Sequence, residues 1–151
     1  MSNPEVRPAG VDDLDPLCRL FDGYRQFYGN PSDLAAARVF LKERLERGES
    51  MVFLAISAGA AVGFTQLYPS FSSNSLGRIF ILNDLFVHPD ARGKGIGARL
   101  LSAAVDFAAA KGAVRLSLST AHTNLTAQSL YKSQGWVQDD RFLNFNFPLK
   151  P

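Results

Sequence analysis

A single cysteine, Cys18, stands among 151 residues, so no internal disulfide can form. It lies among apolar residues, Leu17, Leu20 and Phe21, and an unpaired thiol in such company is expected in the core. Neither a Cys-x-x-Cys pair nor a histidine pair occurs, which leaves no pattern for a metal. Excess charge is scarce as well. Sixteen Lys and Arg oppose fourteen Asp and Glu, and a scattered net charge of +2 argues against a nucleic-acid partner. No apolar run approaches membrane-spanning length, and the residues from Met1 to Arg7 lack a hydrophobic signal core. A cytoplasmic protein without a membrane partner is the expectation, and there the glycosylation-like Asn124-Leu125-Thr126 is idle. Repeats, low-complexity tracts and linkers are also missing. With 46% apolar and 20% charged residues, the chain is expected to form one domain spanning 1–151.

What is present centres on residues 92–101, Arg-Gly-Lys-Gly-Ile-Gly-Ala-Arg-Leu-Leu. This stretch follows an apolar run from Ile79 to Val87, closed by His88-Pro89, and opens an alanine- and leucine-rich run that Gly112 ends. It reads as strand, glycine-rich turn, helix. Glycines at alternate positions let the main chain approach a ligand. The free N–H groups and dipole of a helix N-terminus favour a phosphate. Arg92 and Lys94 add positive charge there, so pyrophosphate binding is the chemistry indicated.

Around this stretch the chain divides as follows. Glu5 to Ala9 is a short edge strand, with Pro4 just before it and Pro8 near its end. Asp12 or Asp13 caps a helix with Leu14, Leu17, Leu20 and Phe21 at helical spacing, ended by Gly29-Asn30-Pro31. Ser32 caps a second helix, with Leu34, Ala37, Phe40, Leu41 and Leu45 on its apolar face, ending at Gly48. Met51 to Ile56 reads as a buried strand, turned at Ala58-Gly59 into Ala61 to Tyr68. A polar loop over 70–77 leads to the central strand. The helix after the glycines points Leu100, Leu101, Ala104, Val105 and Ala108 inward, and Arg115 to Thr120 is the next strand. Asn124 to Gln134 is a short helix closed by Gly135. Trp136-Val137 and Phe142 to Phe147 read as two final strands. The order βααβββαβαββ is that of an α/β sandwich with a mixed sheet.

Two known patterns fit the glycine stretch. Gly93-Lys94-Gly95-Ile96-Gly97-Ala98 has the dinucleotide form G-x-G-x-x-G/A, but the next strand, Val114 to Thr120, lacks the acid that would hold a ribose. Arg92-x-x-Gly95-x-Gly97 resembles the acyl-CoA pyrophosphate loop of the GNAT family of N-acetyltransferases. Leu82-Asn83-Asp84-Leu85-Phe86-Val87-His88-Pro89 resembles that family's strand into the loop. Residues 124–136 resemble its N-x-x-A-x-x-L-Y-x-x-x-G-F/W segment. The three motifs cover the second half of the chain, in family order. The resemblance implies a GNAT-like, mostly antiparallel sheet flanked by about four helices. It also implies transfer of acetyl from acetyl-CoA to a primary amine of a small molecule or peptide. The look is nearest to the branch acting on histone tails, polyamines or D-amino acids.

On that resemblance, the main chain of Arg92, Gly93, Lys94, Gly95, Ile96 and Gly97 holds the pyrophosphate. The cofactor arm runs along the strand edge near Phe86 and Val87, contacts Asn124, and has its thioester carbonyl polarised by a main-chain N–H near Phe86. Tyr131 occupies the general-acid position, since a phenol with a pKa of about 10 keeps its proton at neutral pH for a leaving thiolate. An alkylamine, with a pKa of about 10.4, arrives protonated and needs a base. Asp84, an acid in an otherwise apolar strand, is either that base or a satisfied structural carboxylate. Relatives that acetylate polyamines often carry an acid where this chain has Asn83. For the acceptor pocket the expected residues are Tyr24, Phe27, Tyr28, Tyr68, Ser70 and Asn83, whose aromatics can enclose an alkylammonium or simply form core. His88 and His122 receive no catalytic part. The apolar 142–147 segment, left at an edge, would invite pairing into a homodimer. An acyl-CoA-binding module without turnover is the alternative function.

Overall fold

The computed structural model describes residues 3–150. They form two compact units, one running to Ser119 and one beginning at Thr120. The first unit holds a five-stranded sheet in the order β1-β2-β3-β4-β5, made of β1 (Glu5–Pro8), β2 (Met51–Ser57), β3 (Ala60–Ser72), β4 (Gly77–Val87) and β5 (Arg115–Ser117). The first four pair antiparallel, and β5 joins β4 in parallel. The helices of this unit are α1 (Leu14–Phe27), α2 (Leu34–Glu46) and α3 (Ile96–Ala110).

Local chemistry accounts for these elements. The β2–β3 turn is a two-residue loop with φ +51° at Ala58 and +78° at Gly59, the left-handed pair that matches strand twist. Leu14, Leu17, Leu20 and Phe21 of α1 pack with Ala37 and Leu41 of α2 on Val52, Leu54 and Phe64. Leu100, Leu101, Ala104 and Ala108 of α3 are buried, whereas Val105, expected inward, is 44% exposed. Cys18 is buried, as expected.

Several features differ from the sequence reading. The strand expected over Arg115–Thr120 ends at Ser117, and neither Asp12 nor Asp13 caps α1 with its side chain, because the Asp13 carboxylate accepts from Arg7 and from Gly10 N instead. Ser32 does not cap α2. Asp33 does, accepting from Ala36 N at 3.1 Å. The expected polar loop over 70–77 shrinks to residues 73–76, because β3 continues through Ser72 opposite Gly77. The serines there carry no apolar alternation, but main-chain pairing to an already formed strand does not require it. The two final strands are absent. Among the described residues no strand includes 136–137 or 142–147, and Phe142, Leu143, Phe145 and Phe147 are 69–88% exposed. Alternation specifies a strand only where a neighbouring strand offers cross-strand partners.

The second unit contains α4 (Leu125–Ser133). Asn124 caps it, its Oδ1 accepting from Ala127 N at 3.2 Å, and Gly135 closes it at φ +94°.

The α1–α2 connection is held by a buried carboxylate. Asp22, 4% exposed, accepts from Ser32 Oγ (2.6 Å), Asp33 N (2.8 Å) and Gln26 Nε2 (3.0 Å). The Ser32 hydroxyl and the Asp33 N–H are the main causes that hold its pKa below the ordinary 3.8. A lowered folded-state value means this stabilisation is present above pH 3.8 and fades as pH falls through the folded value. Asp22→Ala strands three donors and is expected to cost about 2–3 kcal/mol, lowering Tm by roughly 4–12 °C. Thermal unfolding at pH 7 checks this, and an unchanged Tm would show the connection is held by other contacts.

Candidate active site

Most of the residues expected at an acceptor pocket come together in the first unit. A cavity of about 270 Å³ is lined by Tyr24, Tyr28, Tyr68, Asn83 and Asp84, together with Phe21, Arg25, Asn30 and Phe40. Five of the residues expected from sequence therefore share one hollow. Two do not line it. Phe27 is 59% exposed, edge-on to Tyr28 at 5.3 Å and 6.0 Å from the Arg92 guanidinium. Ser70 lies farther along β3, paired with Ile79. A larger hollow of about 940 Å³ carries the Arg7–Asp13 ion pair and Phe86, but none of the expected acceptor residues lines it.

Register explains how an acid comes to face this cavity. Gln66 pairs with Asp84 and Leu67 with Leu82, so Asn83 is an extra residue bulged out of the β3–β4 ladder. Asp84 is 2% exposed and accepts from Gln66 Nε2 at 2.6 Å and Asn83 Nδ2 at 2.9 Å. Burial raises its pKa above 3.8, against the hydrogen bonds of Gln66, Asn83 and Tyr24 that favour the charged form. The Tyr24 hydroxyl itself donates to the Asn83 carbonyl at 3.2 Å, with the Asp84 carboxylate beside it. Burial, and next the Asp84 charge, raise the pKa of Tyr24 and of Tyr68, so both phenols stay protonated. The hollow thus joins aromatic walls to a buried carboxyl that can take a proton nearer neutrality than an exposed aspartate.

On the other side, the β4–β5 ladder covers only Ile79–Ile81 against Arg115–Ser117. Beyond it, Leu82 to Val87 has no strand partner on that side among the described residues. Unpaired main-chain groups at such an edge can receive an extended amide-bearing ligand. The chain then enters the glycine loop. Gly93 and Gly95 each adopt φ +78°, and a Cβ on either would meet nothing within 4 Å, so the loop surface is open. Gly95 precedes α3 and supplies no side-chain cap, so the N–H groups of the first turn are not taken by a capping side chain. These features fit a pyrophosphate followed by an extended arm. Arg92 is partly engaged, its Nε donating to the Val87 carbonyl at 2.9 Å, with the Phe86 ring 5.6 Å from its guanidinium. Lys94 is exposed.

In the second unit, the Tyr131 ring lies 6.2 Å from Trp136, and its carbonyl accepts from Trp136 N at 3.0 Å. The Oδ1 of Asn124 serves the α4 cap. His88 is half exposed and caps the turn at Pro89, and His122 is exposed.

Sequence reasoning missed Arg25, Asn30 and Gln66. A signal existed for Gln66, the polar member of the alternating series Val62, Phe64, Gln66, Tyr68. Asn30 looked like part of a helix breaker, and Arg25 received no assignment from its sequence position. Among the described residues no cluster of metal-ligating side chains occurs, and no helix is long and apolar enough to cross a membrane.

Comparison with known proteins agrees with this geometry. The profile of the family described as "Acetyltransferase (GNAT) family" matches residues 16–136. An uncharacterised N-acetyltransferase of Bacillus subtilis (strain 168), YhfO, is 50% identical over 147 residues, covering 96% of this chain and 99% of that protein. A crystal structure of a probable acetyltransferase superposes with a TM-score of 0.92 at 41% identity, covering 97% of this chain and 99% of the other. The aminoglycoside N(6')-acetyltransferase type 1 of Klebsiella aerogenes is 28% identical over 155 residues, with 98% and 99% of the two chains covered.

Proposed function

The chain belongs to the GNAT acetyltransferase family and is an N-acetyltransferase, and from that premise we propose that it acetylates a small primary amine bound in the Asp84 cavity. The observation that carries this reading is the single hollow lined by Tyr24, Tyr28, Tyr68, Asn83 and the buried Asp84, on the strand whose free edge leads to the glycine loop. The family match crosses from the first unit into the second, which supports reading both as one catalytic domain. Small amines fit the cavity's size better than a folded partner, since about 270 Å³ is at the low end for ligand sites. The branch that acts on histone tails, polyamines or D-amino acids remains the family look of the Leu82–Val87 motif. We also read the exposed, apolar 142–147 segment as the pairing surface of a homodimer.

In this reading the N–H groups from Arg92 to Gly97 hold the pyrophosphate, and the edge at Phe86 and Val87 holds the arm. When bound, acetyl-CoA supplies an acetyl thioester whose carbonyl carbon takes the amine and whose sulfur leaves as thiolate. A main-chain N–H near Phe86 stabilises negative charge on the carbonyl oxygen. Aromatic faces of Tyr24, Tyr28 and Tyr68 receive the alkylammonium, and Asp84 accepts its proton, directly or through water. Tyr131 holds the proton that the thiolate takes. Asn124 contributes to the arm's binding from the start of α4.

The test is a thiol-release screen with acetyl-CoA across polyamines, amino acids of both hands, aminoglycosides and basic peptides. Release matched by acetylated product from at least one small amine is expected. No release with any amine, alongside measurable acetyl-CoA binding, would instead favour an acyl-CoA-binding module without turnover.

A further inference from the structure

Besides Asp84, the acceptor cavity carries a second charge that the mechanism does not use. Arg25 is half-buried on the last turn of α1 and lines the same hollow. Of the nine lining residues, Asp84 and Arg25 alone belong to the carboxylate and guanidinium classes, and the rest are aromatic or amide side chains.

The guanidinium of Arg25 makes no close contact with an acid, although its charge reaches Asp22 and is the smallest of the causes that lower that carboxyl's pKa. Among the described residues it has no ion pair and no side-chain hydrogen bond. By contrast, Arg7, Arg38, Arg44 and Arg141 each hold a carboxylate, and Arg92 and Arg99 hold main-chain carbonyls. The acid three residues before it on the helix, Asp22, already accepts from Ser32, Asp33 and Gln26. The backbone of Arg25 is nonetheless fixed. Its carbonyl accepts from Tyr28 N (3.2 Å), Asn30 N (3.0 Å) and Asn30 Nδ2 (3.0 Å). A planar, five-donor fork on a fixed main chain is well suited to a carboxylate, which it can bind through two parallel hydrogen bonds.

We propose that the acceptor is a small amino acid, its primary amine directed to Asp84 and its carboxylate held by Arg25. This rests on the reading of the Asp84 cavity as the acceptor site. One acid and one cation in a compact, aromatic-walled hollow match a zwitterion. A di- or polyamine would set its second positive charge in a cavity that already holds Arg25, so the same residue that attracts the amino acid disfavours the polycation. An interior lysine of a basic peptide offers no carboxylate to the fork.

The experiment compares acceptors that differ only by the carboxylate: lysine with cadaverine, and phenylalanine with phenethylamine, the amino acids supplied in both hands. The readout is the ratio of kcat/KM, amino acid over amine, in wild type and in Arg25→Gln and Arg25→Lys. A charge-assisted fork predicts an amino-acid preference of about 10- to 100-fold in at least one pair. That ratio is expected to fall towards one in Arg25→Gln, chiefly through KM of the amino acid, and to recover in part in Arg25→Lys. Equal use of both members of each pair by the wild type overturns the proposal and leaves the acetyltransferase reading standing. So does a preference that survives Arg25→Gln. Absence of thiol release with every member of both pairs and with the wider amine panel would instead overturn the reading on which the proposal rests. Should Arg25→Gln fail to fold, the wild-type ratio and Arg25→Lys still decide the matter.

Discussion

Asp84→Asn is expected to lower turnover by about 10²–10⁴-fold, the usual contribution of a positioned proton acceptor, in a protein that is at least as stable as the wild type. The two halves of this result have one cause. Asp84 is 2% exposed, and burial raises its pKa above 3.8. A carboxyl whose folded value exceeds its unfolded value carries no penalty well below 3.8, where both states are protonated. As pH rises from there through the folded value, the unfolded state loses its proton first and the wild type loses stability relative to an uncharged variant. The Tm difference, Asn minus Asp, is therefore expected to grow from pH 4 to pH 7. Local hydrogen bonding allows the substitution. Gln66 donates Nε2 to Asp84 at 2.6 Å, while its own buried Oε1 has no partner among the described residues. Rotation of the Gln66 amide would give that oxygen the new Asn N–H as its donor. The measurement is turnover with the amine found in the screen, together with Tm at the two pH values. Near-normal turnover would make Asp84 a structural carboxylate, which is the other role its sequence position allowed.

The folded-state value also sets the acid side of the activity profile. Turnover that depends on ionised Asp84 falls as pH drops through a value above the ordinary 3.8, and this limb is expected to disappear in Asp84→Asn.

Much of the first unit was legible because its signals are local. Ala58-Gly59 between two apolar runs specifies a tight hairpin, and the structure closes it with two left-handed residues. Residues at helical spacing on α1 located a buried face before any partner was known. The resemblance directed attention to the end of the first helix and the end of the hairpin, and Tyr24, Tyr28 and Tyr68 from those places line one cavity. What escaped depends on pairing between distant segments. The bulge at Asn83 is a property of the β3–β4 register, which neither strand's sequence displays. Phe27 follows the helical curve away from the cavity towards Arg92, a direction its proximity in sequence to Tyr28 concealed. The 142–147 run alternates as a strand should, but the described residues offer it no ladder. Arg25 illustrates the same limit from the other side, because an arginine's function depends on which acids are already committed, and Asp22 is committed to the α1–α2 connection.

Tyr131→Phe separates chemistry from packing at the proposed general acid. The substitution removes the hydroxyl and keeps the ring, whose neighbour Trp136 lies 6.2 Å away and donates its N–H to the Tyr131 carbonyl. If the hydroxyl supplies the proton taken by the thiolate, turnover is expected to fall by about 10²–10⁴-fold. The acetyl-CoA dissociation constant should change little, because the pyrophosphate is assigned to the main chain of residues 92–97. Loss of a proton donor also depends on the leaving group. A donor acyl thioester with a more acidic thiol needs less protonation, so the deficit of Tyr131→Phe should shrink with it. A purely structural tyrosine predicts another pattern: lower Tm, near-normal turnover in the folded fraction, and no dependence of the deficit on the thiol. Turnover, Tm and acetyl-CoA calorimetry on one preparation distinguish the two, and near-normal turnover in a folded Tyr131→Phe protein would remove Tyr131 from the chemistry.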